Sequence, residues 1–251
     1  MLLAGALAGC YAEHQDSEPS SAPAADTPLR TVATPSIVAA AEDPPRCVPS
    51  RSLFGGELNN ARDLGGTPLL PSGSVACGEL LRGPPLRLSA EGCQQAAQLG
   101  IRTVIDLRTV SEREGTPDAS CVDANSVLAP MPVPYGLSAD DYLRDLHETA
   151  AVATAFHAFG DSKAYPIYFH CTVGRDRTGI VAALVLLVLG ATRDTVMHEY
   201  LLSEKYVGAF PDALNAVLDE VEANGGAAEF LKLAGISEAE LSVLRQHISV
   251  N

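Results

Sequence analysis

The ten residues His170–Gly179, which read HCTVGRDRTG, combine a nucleophile, cations and two glycines over a short span. Cys171 and Arg177 bracket five residues, and the apolar run IVAALVLLVLG follows at once. A loop that opens onto a helix directs backbone N–H groups and the positive helix end toward one point, where a phosphate dianion can bind. The same field stabilises a thiolate, which can attack phosphorus. The segment therefore predicts a phosphate-binding loop that carries its own nucleophile, Cys171.

The other positions of this loop have distinct expected roles. The planar guanidinium of Arg177 can hold two phosphoryl oxygens at once, which a lysine could not do. Thr178 can donate its hydroxyl to the cysteine sulfur, and we expect His170 to orient the loop rather than to act as a base. Gly174 permits a backbone conformation that a Cβ atom would block. Substrate contacts are expected from the remaining residues of the loop, Thr172, Val173, Gly174, Arg175 and Gly179.

The elements on either side of the loop are predicted from their apolar patterns. Tyr165–Phe169 is a short aromatic and β-branched run, typical of a buried strand. Thr178–Leu189 is apolar at nearly every position and is followed by Gly190, which indicates a buried helix with a glycine stop. This run is too short to cross a bilayer, which needs about 20 apolar residues. We therefore expect a strand–loop–helix unit around Cys171.

The remaining patterns predict an α/β fold. Arg102–Leu107 has the composition of a strand, and Ser237 begins a capping box that opens a last helix. Further helices are expected at Ala90–Leu99 (with Ser89 as N-cap), Thr149–Phe159, Thr192–Tyr206 and Pro211–Ala223. We expect a central sheet of a few strands with helices on both faces and a helical C-terminal part.

Several segments resemble a known family. The loop matches the signature H-C-x-x-G-x-x-R-[S/T]-G of the protein tyrosine phosphatase superfamily at every fixed position. Asn60–Gly66 is similar to the N-F-R-D-L-G-G opening of a bacterial group of atypical tyrosine and lipid phosphatases, with Ala61 in place of Phe. Gly100–Glu114 and Tyr200–Val207 resemble further segments of that group. The resemblance spans about residues 50 to 250, and it implies a tyrosine-phosphatase-like fold and cysteine-dependent hydrolysis of phosphomonoesters.

The general acid has two candidate positions. The chain contains no Trp, so it lacks the W-P-D loop that carries the acid in many tyrosine phosphatases. The resemblance to the bacterial group implies that the aspartate inside the loop, here Asp176, is the acid, and this is the preferred candidate. The alternative is Asp140 or Asp141, whose segment MPVPYGLSADDY could form a movable lid. The same segment also indicates a helix start with Ser138 as N-cap.

The charge of the chain restricts its substrates. With 31 acidic residues, 17 Lys and Arg residues and a net charge of −14 at pH 7, the chain is not expected to bind nucleic acid. The expected substrate is a phosphotyrosine protein, a phosphoinositide or an inositol phosphate. A lipid substrate would need local positive charge, which Arg108, Arg175 and Arg177 could supply if they converge, with Arg113 as a weaker candidate. No cofactor is expected, and no His/Cys cluster has the spacing of a zinc site.

Two functions other than phosphatase activity could also use a cysteine-containing loop. A lipid-anchored phosphate-binding module without turnover could keep such a loop, but the presence of Cys171, Arg177 and Thr178 favours an enzyme. A rhodanese-like sulfurtransferase also uses a cysteine loop. Such loops do not require the closing Arg-Thr-Gly, so this alternative is disfavoured.

The first 49 residues predict export and a tether. Residues 1–10 are apolar and end in Leu-Ala-Gly-Cys, which resembles the lipobox of bacterial lipoproteins, where Cys10 would be acylated. No basic n-region precedes this lipoprotein-type signal remnant. Residues 11–49 are rich in Ser, Ala, Pro and acidic residues and predict a disordered tether before a phosphatase domain at 50–251. The chain is thus expected to be an exported lipoprotein of the bacterial cell envelope that contacts the membrane only through its anchor.

Four of the six cysteines remain besides Cys10 and Cys171, namely Cys47, Cys77, Cys93 and Cys121. They allow three pairings, among which the sequence does not choose. An oxidising compartment would favour disulfides, and it would also expose a reactive Cys171 to oxidation.

Overall fold

The structure is a computed structural model that describes residues 52–132 and 137–250. A five-stranded sheet forms the centre of this described part of the chain. Its strands are β1 (Arg62–Asp63), β3 (Leu80–Gly83), β4 (Thr103–Asp106), β5 (Asn125–Leu128) and β6 (Ile167–His170), and a separate pair is formed by β2 (Ser74–Val75) and β7 (Ser249–Val250). The order is β1-β3-β6-β4-β5, with β1 antiparallel and the others parallel. Because the carboxyl ends of parallel strands share one edge, the residues that follow β3, β4 and β6 meet there.

Ten α-helices are described: α1 (Ala90–Leu99), α2 (Val110–Gly115), α3 (Ala139–Leu146), α4 (Thr149–Phe159), α5 (Asp176–Leu189), α6 (Arg193–Leu201), α7 (Glu204–Val207), α8 (Pro211–Ala223), α9 (Ala227–Leu233) and α10 (Glu238–Ile248). The predicted bounds of α1, α4 and α8 are confirmed, as are the caps at Ser89 and Ser237. The α/β prediction is therefore confirmed.

The predicted single helix over 192–206 is wrong in its continuity. Helix α6 ends at Leu201, and the short α7 begins only at Glu204. Between them, the buried Ser203 accepts a hydrogen bond from the guanidinium of Arg62 at 3.3 Å. A contact to a residue so far away in the chain leaves no trace in the local apolar pattern.

Alternating residues of the central strands pack into two apolar clusters. Ile105 and Phe169 face the larger cluster, which contains α4, α5 and the C-terminal helices, whereas Val104 and Tyr168 face the smaller cluster on the side of α1. Every residue of α5 except Leu187 is buried. The helix that follows the Cys171 loop is therefore enclosed by the core, as predicted.

The N-terminal predictions fall outside the described residues. They concern the lipobox-like segment with Cys10, the tether at 11–49 and Cys47, and acylation at Cys10 stays a prediction. Residues 133–136 of the possible lid lie outside as well. None of the described helices combines the length and apolarity needed to span a membrane.

One of the possible cysteine pairings is present in the described chain. Cys93 of α1 forms a disulfide with Cys121 in the loop before β5. Cys77 is also disulfide-bonded. Cys171 is free and buried, so the proposed nucleophile is kept apart from the disulfides.

Candidate active site

The loop that follows β6 has Cys171 at its base and a run of uncommitted N–H groups above it. The Cys171 side chain is fully buried at the carboxyl end of the strand. Within the described chain, no backbone N–H group of residues 172–175 donates a hydrogen bond to another protein group. Helix α5 begins at Asp176, so the N–H groups of its first turn also lack helical acceptors. Together these donors form a site suited to an anion.

Two glycines of the loop are required by close packing. Gly174 has a φ of 72°, and a Cβ atom there would lie 2.4 Å from the carbonyl carbon of Gly83 in β3. Gly179 lies in the first turn of α5, where a Cβ atom would lie 3.0 Å from the ring of Tyr200. Gly174 therefore lets the loop pass directly over β3, and Gly179 lets α6 pack against α5.

Arg177 points back over the loop and is held by Glu112. Its Nη2 and Nη1 donate to the two carboxylate oxygens of Glu112 at 2.7 and 2.8 Å, and Nη2 also donates to the hydroxyl of Thr172 at 3.1 Å. Burial alone would raise the pKa of the Glu112 carboxyl, but hydrogen bonds from Arg177 and Thr172 outweigh it and lower the pKa to about 2. The fork is thus fixed in plane and the pair is charged at neutral pH.

Glu112 is a site residue that was absent from the sequence prediction. It lies in α2, where it forms a capping box with Thr109. The pattern T-x-x-E at Thr109–Glu112 signals a helix start, but it does not show that the carboxylate reaches Arg177. That contact depends on the neighbouring positions of β4 and β6 in the sheet.

His170 is buried immediately before the nucleophile and faces Asp118. Its Nε2 lies 3.3 Å from a carboxylate oxygen of Asp118, and its Nδ1 lies 3.2 Å from the carbonyl oxygen of Cys171. Asp118 also accepts a hydrogen bond from the backbone N–H of Leu86 at 2.7 Å. Burial alone would raise the pKa of Asp118, but His170 and this N–H group lower it. The carboxylate therefore connects the residue before Cys171 to the segment after β3.

Arg108 is brought beside the loop, but carboxylates occupy its donors. Its Nε and Nη2 bind the two oxygens of Asp106 at 2.9 and 2.8 Å, and Nη2 also binds Asp118 at 2.9 Å. Arg113 lies 3.1 Å from the same Asp106. The ligand atoms of Asp106, Asp118 and His170 lie within 4.8 Å of one another. Since Arg108 already balances both carboxylates, the cluster gives no ground for proposing a metal site.

Arg175 turns away from the loop toward the connection between α7 and α8. Its Nε donates to Asp176 at 2.8 Å, Nη1 donates to the carbonyl of Val207, and the guanidinium lies 4.4 Å from the ring centre of Phe210. The Arg175 side chain, predicted to contact the substrate, is thus directed away from the loop. By contrast, the buried hydroxyl of Thr178 has no hydrogen-bond partner among the described residues, so it is not committed to another group.

The two candidate positions for the general acid differ in their surroundings. Asp176 is buried at the start of α5, where one carboxylate oxygen accepts from Tyr142 (2.6 Å) and from Arg175 Nε (2.8 Å), and the other lies 3.2 Å from Arg175 Nη2. Asp141 instead completes the capping box of α3 with Ser138, as the alternative interpretation of that segment predicted. Asp140 is exposed at the same helix start. No described contact joins Asp140 or Asp141 to the loop.

A cleft of about 310 Å³ opens beside the loop. Its polar lining includes Thr172, Glu112 and Arg108, together with the exposed Arg87. Its apolar lining is formed by Leu58, Pro84, Pro85, Val173 and Val207. The cleft is thus a slot at the edge of the anion site whose surface is largely apolar.

Comparisons with known proteins relate the chain to tyrosine phosphatases. The sequence model of the tyrosine phosphatase family matches residues 56–250. A predicted tyrosine-protein phosphatase of Cupriavidus necator is 32% identical over 169 residues, which cover 59% of this chain and 61% of that protein. A tyrosine-protein phosphatase of Nostoc commune is 25% identical over 207 residues, which cover 63% of this chain and 70% of that protein. The chain thus spans about three fifths of the length of the first of these relatives.

Two solved structures show a weaker likeness. TpbA of P. aeruginosa in complex with phosphotyrosine is 17% identical, covers 64% of this chain and 88% of its own, and has a TM-score of 0.38. The core catalytic domain of the PP-IP phosphatase SIW14 from S. cerevisiae is 15% identical, covers 61% and 90%, and has a TM-score of 0.39. Neither likeness is close enough to support a conclusion about this chain.

Proposed function

This chain belongs to the tyrosine phosphatase family, and on that premise we propose that it hydrolyses phosphomonoesters through a phosphocysteine intermediate on Cys171. The Cys171 thiolate attacks phosphorus, the bond to the leaving oxygen breaks, and that oxygen takes a proton from a general acid. Water then attacks the phosphocysteine, which releases inorganic phosphate and restores the thiolate. The observation that carries the proposal is a buried free cysteine beneath a loop of uncommitted N–H groups.

Charge stabilisation in this mechanism comes from the loop and from Arg177. The N–H groups of residues 172–175 would receive the phosphoryl oxygens, and Arg177 would follow the charge that develops as phosphorus becomes five-coordinate. Glu112 accepts from both Nη atoms of Arg177, so it fixes the orientation of the guanidinium, and a phosphoryl oxygen that binds these atoms must share them with Glu112. Thr178 would donate to the sulfur of Cys171 when it departs from phosphorus.

Among the expected substrates, we favour phosphotyrosine over a polyphosphorylated inositol. The cleft beside the loop has mainly apolar walls, which suit an aryl ring. The additional phosphates of an inositol polyphosphate would need further cations, but Arg108 and Arg175 are each paired with carboxylates. Arg87 is the exposed cation that remains in the cleft. The names of the two relatives described above also favour a tyrosine-protein phosphatase.

A substrate panel tests the proposal. Phosphate release is measured from a phosphotyrosine peptide, a phosphoserine peptide, a monophosphorylated phosphoinositide and an inositol hexakisphosphate. We expect kcat/KM to be highest for the phosphotyrosine peptide and lowest for the inositol polyphosphate. Binding of these compounds without release of phosphate would overturn the proposal in favour of a phosphate-binding module without turnover. A preference for the inositol polyphosphate would show that the assigned substrate class is wrong.

We further propose that Asp176 is the general acid. Tyr142 and Arg175 fix one oxygen of its carboxylate, while the other has a single longer contact and is the oxygen better placed to protonate a leaving group. Asp176→Asn should lower kcat for alkyl phosphates by about 10²- to 10⁴-fold, because a poor leaving oxygen needs a proton. The loss should be much smaller for p-nitrophenyl phosphate, whose leaving group departs as an anion.

The matched controls are Asp140→Asn and Asp141→Asn, assayed on the same two substrates. Both should retain the ratio of alkyl to p-nitrophenyl rates that the wild type shows. If either one loses alkyl phosphate turnover selectively while Asp176→Asn does not, the acid lies in the segment before α3 instead. Equal losses of Asp176→Asn on both substrates would mean that the side chain only holds the helix start.

A further inference from the structure

Two carbonyl groups of the catalytic loop are held by side chains from outside the loop. Asn60 Nδ2 donates to the carbonyl oxygen of Val173 at 3.0 Å, and Arg82 Nη2 donates to that of Gly174 at 2.8 Å. Asn60 and Arg82 are 1% and 0% exposed, respectively. Asn60 lies just before β1 and Arg82 lies in β3, the strand that pairs with β1. Both donors therefore reach the loop from the side of the sheet that β1 and β3 form.

A single carboxylate connects these two donors. Glu199 of α6 accepts from Arg62 Nε and from Arg82 Nη1, both at 2.6 Å. Arg62 in turn donates to the side-chain oxygen of Asn60 at 2.5 Å, which leaves the amide nitrogen of Asn60 directed at Val173. The network thus fixes the orientation of both side chains that contact the loop.

The charges of this network persist at neutral pH. Burial alone would raise the pKa of Glu199, but Arg62 and Arg82 outweigh it and lower the pKa. Burial lowers the pKa of Arg82 to about 10, which still leaves it protonated in the physiological range. Two guanidinium groups and one carboxylate are therefore buried together, a costly arrangement that requires all of their hydrogen bonds.

The direction of the held carbonyl groups determines where the loop N–H groups point. In a trans peptide the carbonyl and the following N–H point in opposite directions. The cis peptides of the described chain are at Leu70–Pro71 and Tyr165–Pro166, so the peptides after Val173 and Gly174 are trans. When both carbonyls are drawn outward, the N–H groups of Gly174 and Arg175 face the opposite side, toward the phosphoryl group.

We propose that Asn60, Arg82 and Glu199 form a carbonyl clamp, a set of positioning residues that aims two N–H groups of the catalytic loop at the substrate. The inference rests on the proposed function, since it concerns the same site. It also gives a physical reason for the motif at residues 60–66. Asn60 and Arg62 of this motif do not line the cleft; Asn60 binds the loop carbonyl of Val173, and Arg62 orients Asn60. The clamp acts on the transition state through the backbone and does not touch the substrate.

The sharpest test is Asn60→Gly. Asn60 has a φ of 71°, which glycine adopts without strain, so the change removes the amide donor and keeps the backbone. We expect kcat on p-nitrophenyl phosphate to fall about 10- to 100-fold, because one N–H donor of the loop is no longer aimed. The inhibition constant of orthovanadate, which imitates five-coordinate phosphorus, should rise by a similar factor, while KM changes much less.

The matched control is Asn224→Gly. Asn224 follows the last residue of α8, and its amide also donates to a backbone carbonyl, that of Glu220 at 2.8 Å, outside the loop. This variant should keep the wild-type kcat and vanadate affinity. A second test variant, Arg82→Lys, keeps the charge beside Glu199 but replaces two separate nitrogens, Nη1 on Glu199 and Nη2 on the carbonyl of Gly174, by a single one. It should therefore show the same fall in kcat and the same weaker inhibition by vanadate.

The outcomes separate the clamp from the proposed function. If the wild type shows no Cys171-dependent turnover, the proposed function fails first. If turnover depends on Cys171 but Asn60→Gly and Arg82→Lys change only the melting temperature, with kcat and vanadate inhibition within about twofold of the wild type, the clamp is merely structural and the inference is wrong. If Asn60→Gly does not fold, Arg82→Lys decides by the same two measurements.

Discussion

Replacing Cys171 by serine should abolish phosphate release and leave the fold intact. A serine hydroxyl is not ionised near neutral pH, so the attack on phosphorus is lost, and we expect kcat to fall by about 10⁴-fold or more. The side chain lies in no disulfide, and within the core it changes only from a thiol to a slightly smaller hydroxyl, so we expect the fold to persist. Phosphate release from p-nitrophenyl phosphate and thermal unfolding followed by circular dichroism measure the two effects.

The same variant separates turnover from binding. Cys171→Ser should still bind orthophosphate, because the loop N–H groups and Arg177 remain in place. Isothermal titration with orthophosphate gives the affinity, and acid quenching of the wild type during turnover of a ³²P-labelled substrate should trap labelled protein that Cys171→Ser does not form. Equal hydrolysis by the two proteins would disprove the covalent mechanism.

Arg177→Lys should lower kcat by about 10²- to 10³-fold and change KM far less. A lysine retains the charge, but it lacks the planar guanidinium that can donate to Glu112 and to a phosphoryl oxygen at the same time, and this contact with the phosphoryl group acts mainly as the transition state forms. It also loses the bidentate contact with Glu112. Steady-state kinetics on p-nitrophenyl phosphate over a range of substrate concentrations separates kcat from KM.

Arg193→Lys is the control for this substitution, because Arg193 makes a surface ion pair with Asp219 away from the loop. It should leave both constants unchanged. An Arg177→Lys variant in which only KM rises would reduce Arg177 to a binding charge. Glu112→Gln should reproduce part of the kcat loss, since it loosens the fork while Arg177 itself is kept.

The helices of this chain could be predicted from local signals. Ser89 and Ser237 cap α1 and α10 through bonds to residues three positions on, and Gly190 ends α5 in a left-handed conformation, so each boundary is determined by a few neighbouring residues. The two-residue strands β1, β2 and β7 are too short for an alternating pattern to appear. They exist because of pairing partners elsewhere in the chain.

The groups that support the loop could not be found in the same way. Glu112 reaches Arg177 because β4 and β6 are neighbours in the sheet, and Arg82 reaches Gly174 because β3 lies on the other side of β6. Arg82 gives one local hint, a charge inside a buried strand, but nothing nearby in sequence identifies Glu199 as its partner. The residues expected to carry the chemistry lie together in one segment of the sequence, whereas the residues that support the loop are brought to it only by the order of the strands.

The close approach of Gly174 to Gly83 restricts how this sequence can evolve. A methyl group on Gly174 would meet the backbone of Gly83 at 2.4 Å, and one on Gly83 would meet the hydroxyl of Tyr168 at 2.3 Å and the Cα of Ala61 at 2.9 Å. Because the obstacles include main chain, no mutation at one glycine can compensate for a larger residue at the other. Descendants that retain this loop over β3 should therefore keep both glycines through long divergence, and Gly83 becomes a marker for distant homologues that share the geometry.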